Sequence, residues 1–496
     1  MSLINITKLT FAYEGSYDNV FTDVSFQIDT DWKLGFCGRN GRGKTTFLKL
    51  LMGQYEYSGT ISSSVKFDYF PVEAENIEDN TLDIIEKIAP DAQGWQIQKE
   101  LSKLAVDEGV LYRPFNTLSN GERTKVLLAG LFLRENNFLL IDEPTNHLDM
   151  DARQTVAKYL KSKGGFILVS HDRTFLDECV DHILSINKNG IEVICGNFST
   201  WAEQKARRDS FELAANEKLT KEIGRLETAA KRTADWADKA ESSKIGIDPL
   251  KIDNKKGHRA YQSAKSKKMM AQAKAIQNRQ QADIQEKSKL LKNIETADDL
   301  KIQPLKYHSD KLLTLNNVAV SYGGRKVLND FNLTLKAGMR IALQGSNGSG
   351  KSSILKLICG GDIPHTGKVN IGSRLVISYV PQDASFLMGS LTEYAREQGI
   401  DLSLFLSILR KLDFSRVQFE KDMSDFSAGQ KKKVFIARSL CEHAHVYIWD
   451  EPLNYIDILS RIQIENLILE YKPTMIFVEH DRAFCDNAAT EVIKIK

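Results

Sequence analysis

The chain has 496 residues, a formal net charge of +2, 42% hydrophobic residues and 27% charged residues. These values are typical of a soluble protein with about three domains. No stretch approaches the roughly 18–20 apolar residues that span a bilayer, and the first six residues lack the basic and apolar regions of a signal peptide. The composition argues against an integral membrane protein, and the six scattered cysteines favour reduced thiols in the cytoplasm.

The first chemical signal is a glycine-rich turn between a predicted strand at 34–37 and a predicted helix from residue 46. Strand, turn, Lys-Thr and helix in this order are typical of a phosphate-binding P-loop, and these flanks favour it over an ordinary glycine-rich loop. Glycines let backbone N–H groups approach a phosphate, and Lys44 is expected to reach the β- and γ-phosphates while Thr45 holds Mg²⁺. The predicted nucleotide-binding residues here are Gly38, Arg39, Asn40, Gly41, Arg42, Gly43, Lys44, Thr45 and Thr46.

Three further segments of the first half end in polar residues. One predicted helix start contains Ser119, Gly121 and Glu122. An apolar strand at 138–143 then ends in Asp142 and Glu143, and another at 166–171 ends in His171. Parallel strands deliver such residues to the carboxyl edge of a sheet, where ligands bind. Asp142 suits Mg²⁺, Glu143 suits a general base, and His171 is either a γ-phosphate contact or a structural histidine.

Residues 201–310 resemble neither flanking half. Apolar residues recur at spacings of three and four, as on one helix face, and breakers at Gly246, Pro249 and Gly257 interrupt them. We therefore predict two antiparallel helices joined by a loop near 243–257. The segment 244–279 contains ten basic and two acidic residues, a net charge of +8, which favours binding to a polyanion over a solvated spacer.

The second half repeats the phosphate-binding loop. The repeated loop comprises Gly345, Ser346, Asn347, Gly348, Ser349, Gly350, Lys351 and Ser352, with Ser353 next. A predicted strand ends in a tyrosine before each loop: Tyr13 lies 31 residues before Lys44, and Tyr322 lies 29 residues before Lys351. Such a ring can stack on a nucleotide base, and the alternative is a tyrosine of the core or of an edge strand.

The polar strand ends also recur, with 24 residues between serine and glutamate in both halves. The repeated residues are Ser427, Gly429 and Gln430, then Asp450 and Glu451, then His480. Gln382 is placed to sense Mg²⁺ and the attacking water, whereas Val72 occupies its position in the first half. Either Glu73 substitutes there or the first site lacks this contact. The predicted metal ligands are Thr45, Asp142, Ser352, Gln382 and Asp450.

This ordered set resembles the nucleotide-binding domains of the ATP-binding cassette (ABC) superfamily, although the usual LSGGQ signature is altered at Asn120, Glu122, Phe426 and Ala428. The resemblance implies two domains that close head to tail on two ATP molecules. Site one would join the first P-loop, Glu143 and His171 to the second signature. Site two would join the second P-loop, Gln382, Glu451 and His480 to the first signature. The predicted fold is α/β, with tandem ABC-type ATPase domains at 1–200 and 311–496 and a long antiparallel α-helical hairpin linker at 201–310.

Two ABC domains with a charged helical linker resemble the ABC-F group, and within it the Lsa-type and Vga-type resistance proteins. The finer likeness rests on residues 31–46, on Glu451-Pro452-Leu453-Asn454-Tyr455-Ile456-Asp457 and on the extended linker loop. It implies a monomer that binds ATP and Mg²⁺, enters the ribosomal tRNA exit site and uses its linker near 23S rRNA and P-site tRNA. Resistance to lincosamides, pleuromutilins and streptogramin A would follow. The alternatives are a housekeeping ABC-F translation factor, the ATPase of an efflux transporter and, more weakly, a DNA-repair protein.

Overall fold

The computed structural model divides the chain into two compact units. One contains residues 1–201 and 297–496, and the other contains residues 202–296. Residues 300–310, which the sequence prediction assigned to the linker, therefore belong to the first unit. The structure describes residues 2–15, 18–146, 148–187, 190–242, 268, 271–272, 274–276, 278–284, 286–287, 300–322 and 325–495.

Within the larger unit, we call the part up to residue 201 the first half and the part from residue 297 the second half. The strands of the first half are β1 (Leu3–Phe11), β2 (Phe21–Asp29), β3 (Lys33–Cys37), β4 (Ser58–Ser62), β5 (Lys66–Phe70), β6 (Asn137–Asp142), β7 (Phe166–Val169), β8 (His182–Asn187) and β9 (Gly190–Cys195). Its helices are α1 (Lys44–Leu51), α2 (Thr81–Ile88), α3 (Gly94–Lys103), α4 (Asn120–Phe132), α5 (Met150–Lys161) and α6 (Arg173–Cys179), with 3-10 turns at Glu108–Tyr112 and Phe115–Thr117.

The second half repeats this order after the long helix α7 (Phe198–Ser242). Its strands are β10 (Lys311–Tyr322), β11 (Arg325–Lys336), β12 (Arg340–Gln344), β13 (His365–Ile371), β14 (Ile377–Val380), β15 (Val446–Asp450), β16 (Met475–Val478) and β17 (Glu491–Lys494). Its helices are α8 (Lys351–Ile358), α9 (Leu391–Glu397), α10 (Leu402–Lys411), α11 (Ala428–Cys441), α12 (Ile458–Tyr471) and α13 (Arg482–Ala488), with 3-10 turns at Arg416–Glu420 and Met423–Asp425.

Each half contains a mainly parallel sheet and a small antiparallel sheet. The strand orders are β5-β6-β7-β3-β8-β9 and β14-β15-β16-β12-β17 for the large sheets, and β2-β1-β4 and β11-β10-β13 for the small ones. The central strands are buried on both faces. In the second half, helices cover one face of the large sheet, and the helix α8 with the small antiparallel sheet covers the other. In each half, the strand before the P-loop (β3 or β12) therefore lies beside the strand that leads to the histidine (β7 or β16). The strand that ends in the aspartate (β6 or β15) lies on the other side of the histidine-bearing strand.

The linker unit contains most of the 45-residue helix α7 and a stretch of helical residues between 268 and 287. Lys287 forms an ion pair with Glu222 of α7, which joins segments 65 residues apart in sequence. This pairing agrees with the predicted antiparallel hairpin. The predicted loop at 243–257 and most of the basic segment 244–279 lie outside the described residues. Among the helices that the structure describes, none has a long enough apolar stretch to cross a bilayer.

Candidate functional site

The register of the large sheets brings the predicted polar residues to one edge of each half. In the first half, Val169 of β7 lies abreast of Phe36 of β3 and of Asp142 of β6. The next residues along these strands lead into the P-loop, Glu143 and His171. Leu343, Val478 and Asp450 are aligned in the same way in the second half. The strand register alone therefore places the P-loop, the acidic residues and the histidine next to one another at the same edge of the sheet.

Both P-loop lysines are buried and curl back over their own loops. Lys44 Nζ donates to the carbonyl oxygens of Gly38 and Arg39 at 2.7 and 3.2 Å. Lys351 Nζ donates in the same way to the carbonyls of Gly345 and Ser346 at 2.9 and 2.8 Å. Each ammonium group thus lies inside its own loop, where it can bind an anion.

The glycines of the two loops adopt backbone conformations that other residues rarely adopt. Gly43 and Gly350, which cap α1 and α8, have φ of 90° and 92°. A Cβ on Gly43 would lie 2.5 Å from Val20, so a side chain has no room there. Gly41 and Gly348 also have positive φ, and a Cβ on either would face open space. These positions give the loop the tight backbone curvature that exposes N–H groups to a phosphate.

The two strand-end tyrosines lie against the helices that follow the loops. The Tyr13 hydroxyl is 2.6 Å from Thr46 Oγ1, and the Tyr322 hydroxyl donates to Ser353 Oγ at 3.1 Å. Each tyrosine is 45% exposed, so its ring remains accessible beside the P-loop helix. Their positions are compatible with stacking on a nucleotide base.

The predicted metal ligands come together in both halves, and their environment fits Mg²⁺. Thr45 Oγ1 donates to Asp142 Oδ2 at 2.7 Å, and the Tyr69 hydroxyl donates to the same oxygen at 3.0 Å. Neither carboxylate oxygen of the buried Asp450 makes a well-formed hydrogen bond, and burial raises the pKa of Asp450 to about 6 although the nearby Ser352 hydroxyl lowers it. Buried, unpaired carboxylate oxygens are costly unless a cation or donor satisfies them. The buried Ser349 hydroxyl likewise has no partner.

Glu143 and Glu451, which follow the strands β6 and β15, have the same backbone conformation, but their pKa values are shifted in opposite directions. Glu143 and Glu451 have φ of 51° and 47°, a strained conformation for residues other than glycine. Their Oε1 atoms lie 3.3 Å from His171 Nε2 and 3.5 Å from His480 Nε2, respectively. Burial and then Asp142 raise the pKa of Glu143 to about 8. Burial would raise the pKa of Glu451 as well, but the hydrogen bond and charge of His480 bring it to about 2.

The first signature (residues 119–122) and the second P-loop (residues 345–352) line one cavity of about 1010 Å³. The predicted residues on its walls are Ser119, Gly121, Glu122, Tyr322, Ser346, Asn347, Gly348, Gly350, Lys351, Ser352, Ser353, Gln382, Glu451 and His480. The structure thus brings together residues from both halves around this space. Its volume lies at the upper end of the range usual for small-molecule sites, which leaves room for a nucleoside triphosphate.

The second signature approaches the first P-loop through the backbone of Tyr455. Asn40 Nδ2 donates to the Tyr455 carbonyl at 2.9 Å, and Asn40 Oδ1 is 3.0 Å from His171 Nε2. A Cβ on Gly429 would lie only 2.4 Å from that same carbonyl oxygen. The Tyr455 carbonyl therefore lies between the signature glycine of one half and the P-loop asparagine of the other.

Each signature serine caps the helix that follows it. Ser119 Oγ accepts from the N–H of Glu122, whose carboxylate accepts from Ser119 N–H, and Ser427 and Gln430 form the equivalent capping box. Burial would raise the pKa of Glu122, but the hydrogen bonds from Ser119 lower it below its ordinary value. Glu122 and Gln430 therefore hold the helix start in shape, in addition to any contact with nucleotide.

Sequence reasoning missed several residues that join the halves. Arg39 Nη1 lies 3.3 Å from Asp413 Oδ1, and Arg173 forms an ion pair with Glu465. The buried Arg153 donates to the carbonyl of His480 at 3.0 Å. The sequence does not indicate the positive φ of Asp413. It also contains no local pattern that predicts an ion pair between residues hundreds of positions apart.

Comparison with known proteins identifies the family of this tandem arrangement. A family model described as "ABC transporter" matches residues 21–146 and 328–454, which together are about half of the chain. The chain belongs to the ATP-binding cassette family. The predictions of tandem ABC-type domains and of an ABC-type ATPase are confirmed.

Similar proteins place the chain in the ABC-F group, as the sequence predicted. It is 28% identical to the ribosome protection protein VmlR of Bacillus subtilis, over 99% of this chain and 86% of that one. It is 26% identical to the energy-dependent translational throttle protein EttA of Haemophilus influenzae, over 96% of this chain and 89% of that one. A structure of archaeal ribosome recycling factor aABCE1 with stalk protein aP1 shares the fold, with a TM-score of 0.63, 19% identity and coverage of 98% and 87%.

Proposed function

We propose that this ABC-F ATPase binds the ribosome in its ATP-bound state and protects it from antibiotics that act at the peptidyl-transferase centre. The observation that carries the proposal is the pairing of two nucleotide sites built from both halves with a linker of strongly basic sequence. The similarity to a ribosome protection protein over nearly the whole chain supports it. An overall formal charge of +2 with +8 in 244–279 leaves the remainder acidic, which suits a single contact surface for ribosomal RNA.

The chain can couple nucleotide to linker because each end of the linker is anchored in a different half. Phe198 and Trp201, at the start of α7, are buried and in ring contact. Leu300 and Ile302, at the other end, are buried in the core of the second half. Closure of the halves on nucleotide therefore moves both anchors. A closed state stabilised by ATP would favour the linker arrangement that fits the ribosome.

For hydrolysis, we assign each residue a task that matches its position. Lys44 and Lys351 bind phosphate, while Glu143 and Glu451 polarise water, with His171 and His480 beside the γ-phosphate. Mg²⁺, when held near Thr45 and Asp142 or near Ser352, Gln382 and Asp450, would neutralise charge that develops on the phosphates. Loss of the γ-phosphate removes the group that joins the halves, so hydrolysis would release the protein from the ribosome.

A drug-susceptibility panel tests the protective function. Cells that make the protein should tolerate higher concentrations of lincosamides, pleuromutilins or streptogramin A, and cells that make the Glu143→Gln, Glu451→Gln double variant should not. Unchanged tolerance to all three classes would reject protection and favour the housekeeping translation factor. Lower accumulation of radiolabelled drug, abolished by the same double variant, would favour the efflux ATPase.

A further inference from the structure

A buried lysine lies behind the second nucleotide site. Lys432 follows the signature by two residues on α11 and is only 3% exposed. Its Nζ donates to the carbonyl oxygen of Pro381 at 2.8 Å and lies 3.4 Å from that of Asp450. A buried ammonium group is costly to desolvate, and such groups are kept where they make specific hydrogen bonds.

The two carbonyls belong to the parts of the site that must be aligned. Pro381 directly precedes Gln382, which lines the second-site cavity, and Asp450 ends strand β15. One ammonium group therefore ties the Gln382 loop to the strand that carries the acidic residues. Lys432 is absent from the cavity wall, so it acts through the loop rather than on nucleotide.

Buried carboxylates nearby compensate the charge of Lys432. Burial lowers the pKa of Lys432, and Glu479 is the first of the carboxylates that oppose this. Glu479 is itself buried and accepts from the N–H groups of Leu453 and His480 at 2.7 and 3.1 Å. The lysine thus belongs to a polar layer under the second site that also fixes the segment leading into His480.

The first half has a different set of residues at these positions. Thr124 corresponds to Lys432, and Val72 corresponds to Gln382. In place of Glu479 and its Leu453 contact, the Ser170 and Thr145 hydroxyls lie 3.2 Å apart. The half that has the glutamine therefore has the lysine, and the half that lacks the glutamine has a short neutral side chain.

From this correlation and these contacts, we propose that Lys432 is the positioning residue for Gln382, and that it makes the second ATP site catalytically distinct from the first. The proposal rests on the assignment of Gln382 to that site. Lys432 holds the Gln382 loop against β15, so that the amide meets Mg²⁺ and the attacking water when nucleotide is bound. Misplacing such a group by about 1 Å can cost up to 100-fold in rate.

The test compares variants in a Glu143→Gln background, which confines turnover to the second site. Lys432→Thr should lower kcat about 10-fold and leave the KM for ATP within about 2-fold. Gln382→Ala should lower kcat to a similar extent, and the double variant should be no slower than Gln382→Ala alone. Additive losses, or a Lys432→Thr variant with unchanged kcat, would overturn the proposal.

A second readout needs no nucleotide. Amide hydrogen exchange in the segment 377–386 should be faster in Lys432→Thr than in the parent, because the loop has lost its tether. Lys431→Thr is the matched control: this neighbouring lysine is half-buried and donates to the Ser385 carbonyl at 3.3 Å rather than to Pro381 or Asp450, so kcat should stay at the parent value. Unaltered exchange in 377–386 would contradict the tether.

Folding and site assignment are checked separately. Threonine is accommodated at the matched position in the first half, so Lys432→Thr should unfold within a few degrees of the parent. Lys432→Met, which fills the space without donating, should match its loss of kcat. If the Glu143→Gln, Glu451→Gln double variant still hydrolyses ATP at the single-variant rate, the assignment of the glutamates fails, which is a different outcome from failure of the Lys432 proposal.

Discussion

At the scale of single residues, the two halves share a backbone plan and differ in the groups that surround it. Glu143 and Glu451 have nearly the same strained φ, yet the pKa of one is raised and that of the other is lowered. Strain of this kind persists only where the surrounding structure imposes it, which is common in catalytic sites. The identity of the glutamates could be read from the sequence, whereas their unequal environments depend on side chains from distant segments.

Gly429 gives a test at this scale. A methyl group at Gly429 would overlap the Tyr455 carbonyl, which also accepts from Asn40 of the first P-loop. Gly429→Ala should therefore disturb the first site and lower ATPase activity about 10-fold, since overpacking of this kind costs roughly 1–3 kcal/mol. Steady-state hydrolysis measures it.

The control for this variant is its neighbour. Ala428 already carries the methyl group that the family signature usually lacks, so Ala428→Gly should retain most of the activity. If Gly429→Ala hydrolysed ATP at the rate of the unmodified protein, the close approach of Gly429 to Tyr455 would not matter for closure.

At the scale of elements, a polar network joins α3 to α5 in the first half. Glu100 accepts from the Tyr159 hydroxyl at 2.6 Å and from Lys103 at 2.8 Å, and it also pairs with Lys163. Burial alone would raise the pKa of Glu100, but these hydrogen bonds bring it to about 2. Glu100 and Tyr159 correspond to Ile408 and Leu467 in the second half, and both of these belong to its buried hydrophobic core.

This network predicts a pH-dependent contribution to stability. Because the folded-state pKa of Glu100 lies below the ordinary value of 4.5, its contribution is complete above pH 4.5 and is lost as the pH falls toward 2. Glu100→Gln should therefore lower the free energy of unfolding at pH 7 by about 1–2 kcal/mol, after allowance for solvent screening. Denaturant unfolding should show this difference shrink below pH 4.5.

The exposed Glu108 provides the comparison, since Glu108→Gln should change the free energy of unfolding by less than about 0.5 kcal/mol. A difference between Glu100→Gln and the parent that persisted unchanged at the lowest pH at which both fold would show that the charge of Glu100 is not what the network uses.

At the scale of the whole unit, the contacts between the halves are themselves asymmetric. Arg39 pairs with Asp413, whereas the corresponding positions in the other direction are Ser346 and Ala105, which cannot form an ion pair. Arg173 pairs with Glu465, whereas Ala157 occupies the position that corresponds to Glu465. The first site is therefore bordered by ion pairs for which the residues around the second site offer no equivalent at these positions.

This asymmetry predicts unequal sensitivity to mutation. The double variant Arg39→Ser, Glu465→Ala gives the first site the residues of the second, and it should weaken ATP-dependent closure about 3- to 10-fold, an effect expected of two partly buried ion pairs. A fluorescence distance between labels on the two halves measures closure against ATP concentration. Raising the ionic strength should affect the parent more than the variant.

The Arg39→Ser, Glu465→Ala variant also has an outcome that would contradict this role of the ion pairs. If its closure midpoint in ATP equals that of the parent at low ionic strength, the two ion pairs contribute nothing to the closed state. Glu108→Gln, at an exposed residue outside both P-loops and both signatures, should leave the midpoint unchanged in either case.

The sequence predicted the parts that are local and missed those that are distant. Strand, glycine loop and helix give the position of Lys44, and the spacing of 24 residues from signature to glutamate recurs because both halves fold in the same way. The contacts of Asn40 with Tyr455 and of Lys432 with Pro381 could not be inferred, because each joins segments whose proximity depends on tertiary packing. The sequence also assigns residues 300–310 to the linker, because nothing local shows that Leu300 and Ile302 are buried against residues of the second half that lie far along the chain.

The central claim, that nucleotide-driven closure directs this molecule to ribosomes, is tested most directly by co-sedimentation. The Glu143→Gln, Glu451→Gln variant should pellet with ribosomes from cell lysate when ATP is present and stay in the supernatant with ADP or without nucleotide. The unmodified protein should pellet weakly in ATP because hydrolysis releases it. A double variant that binds ATP and yet remains in the supernatant in all three conditions would contradict the account.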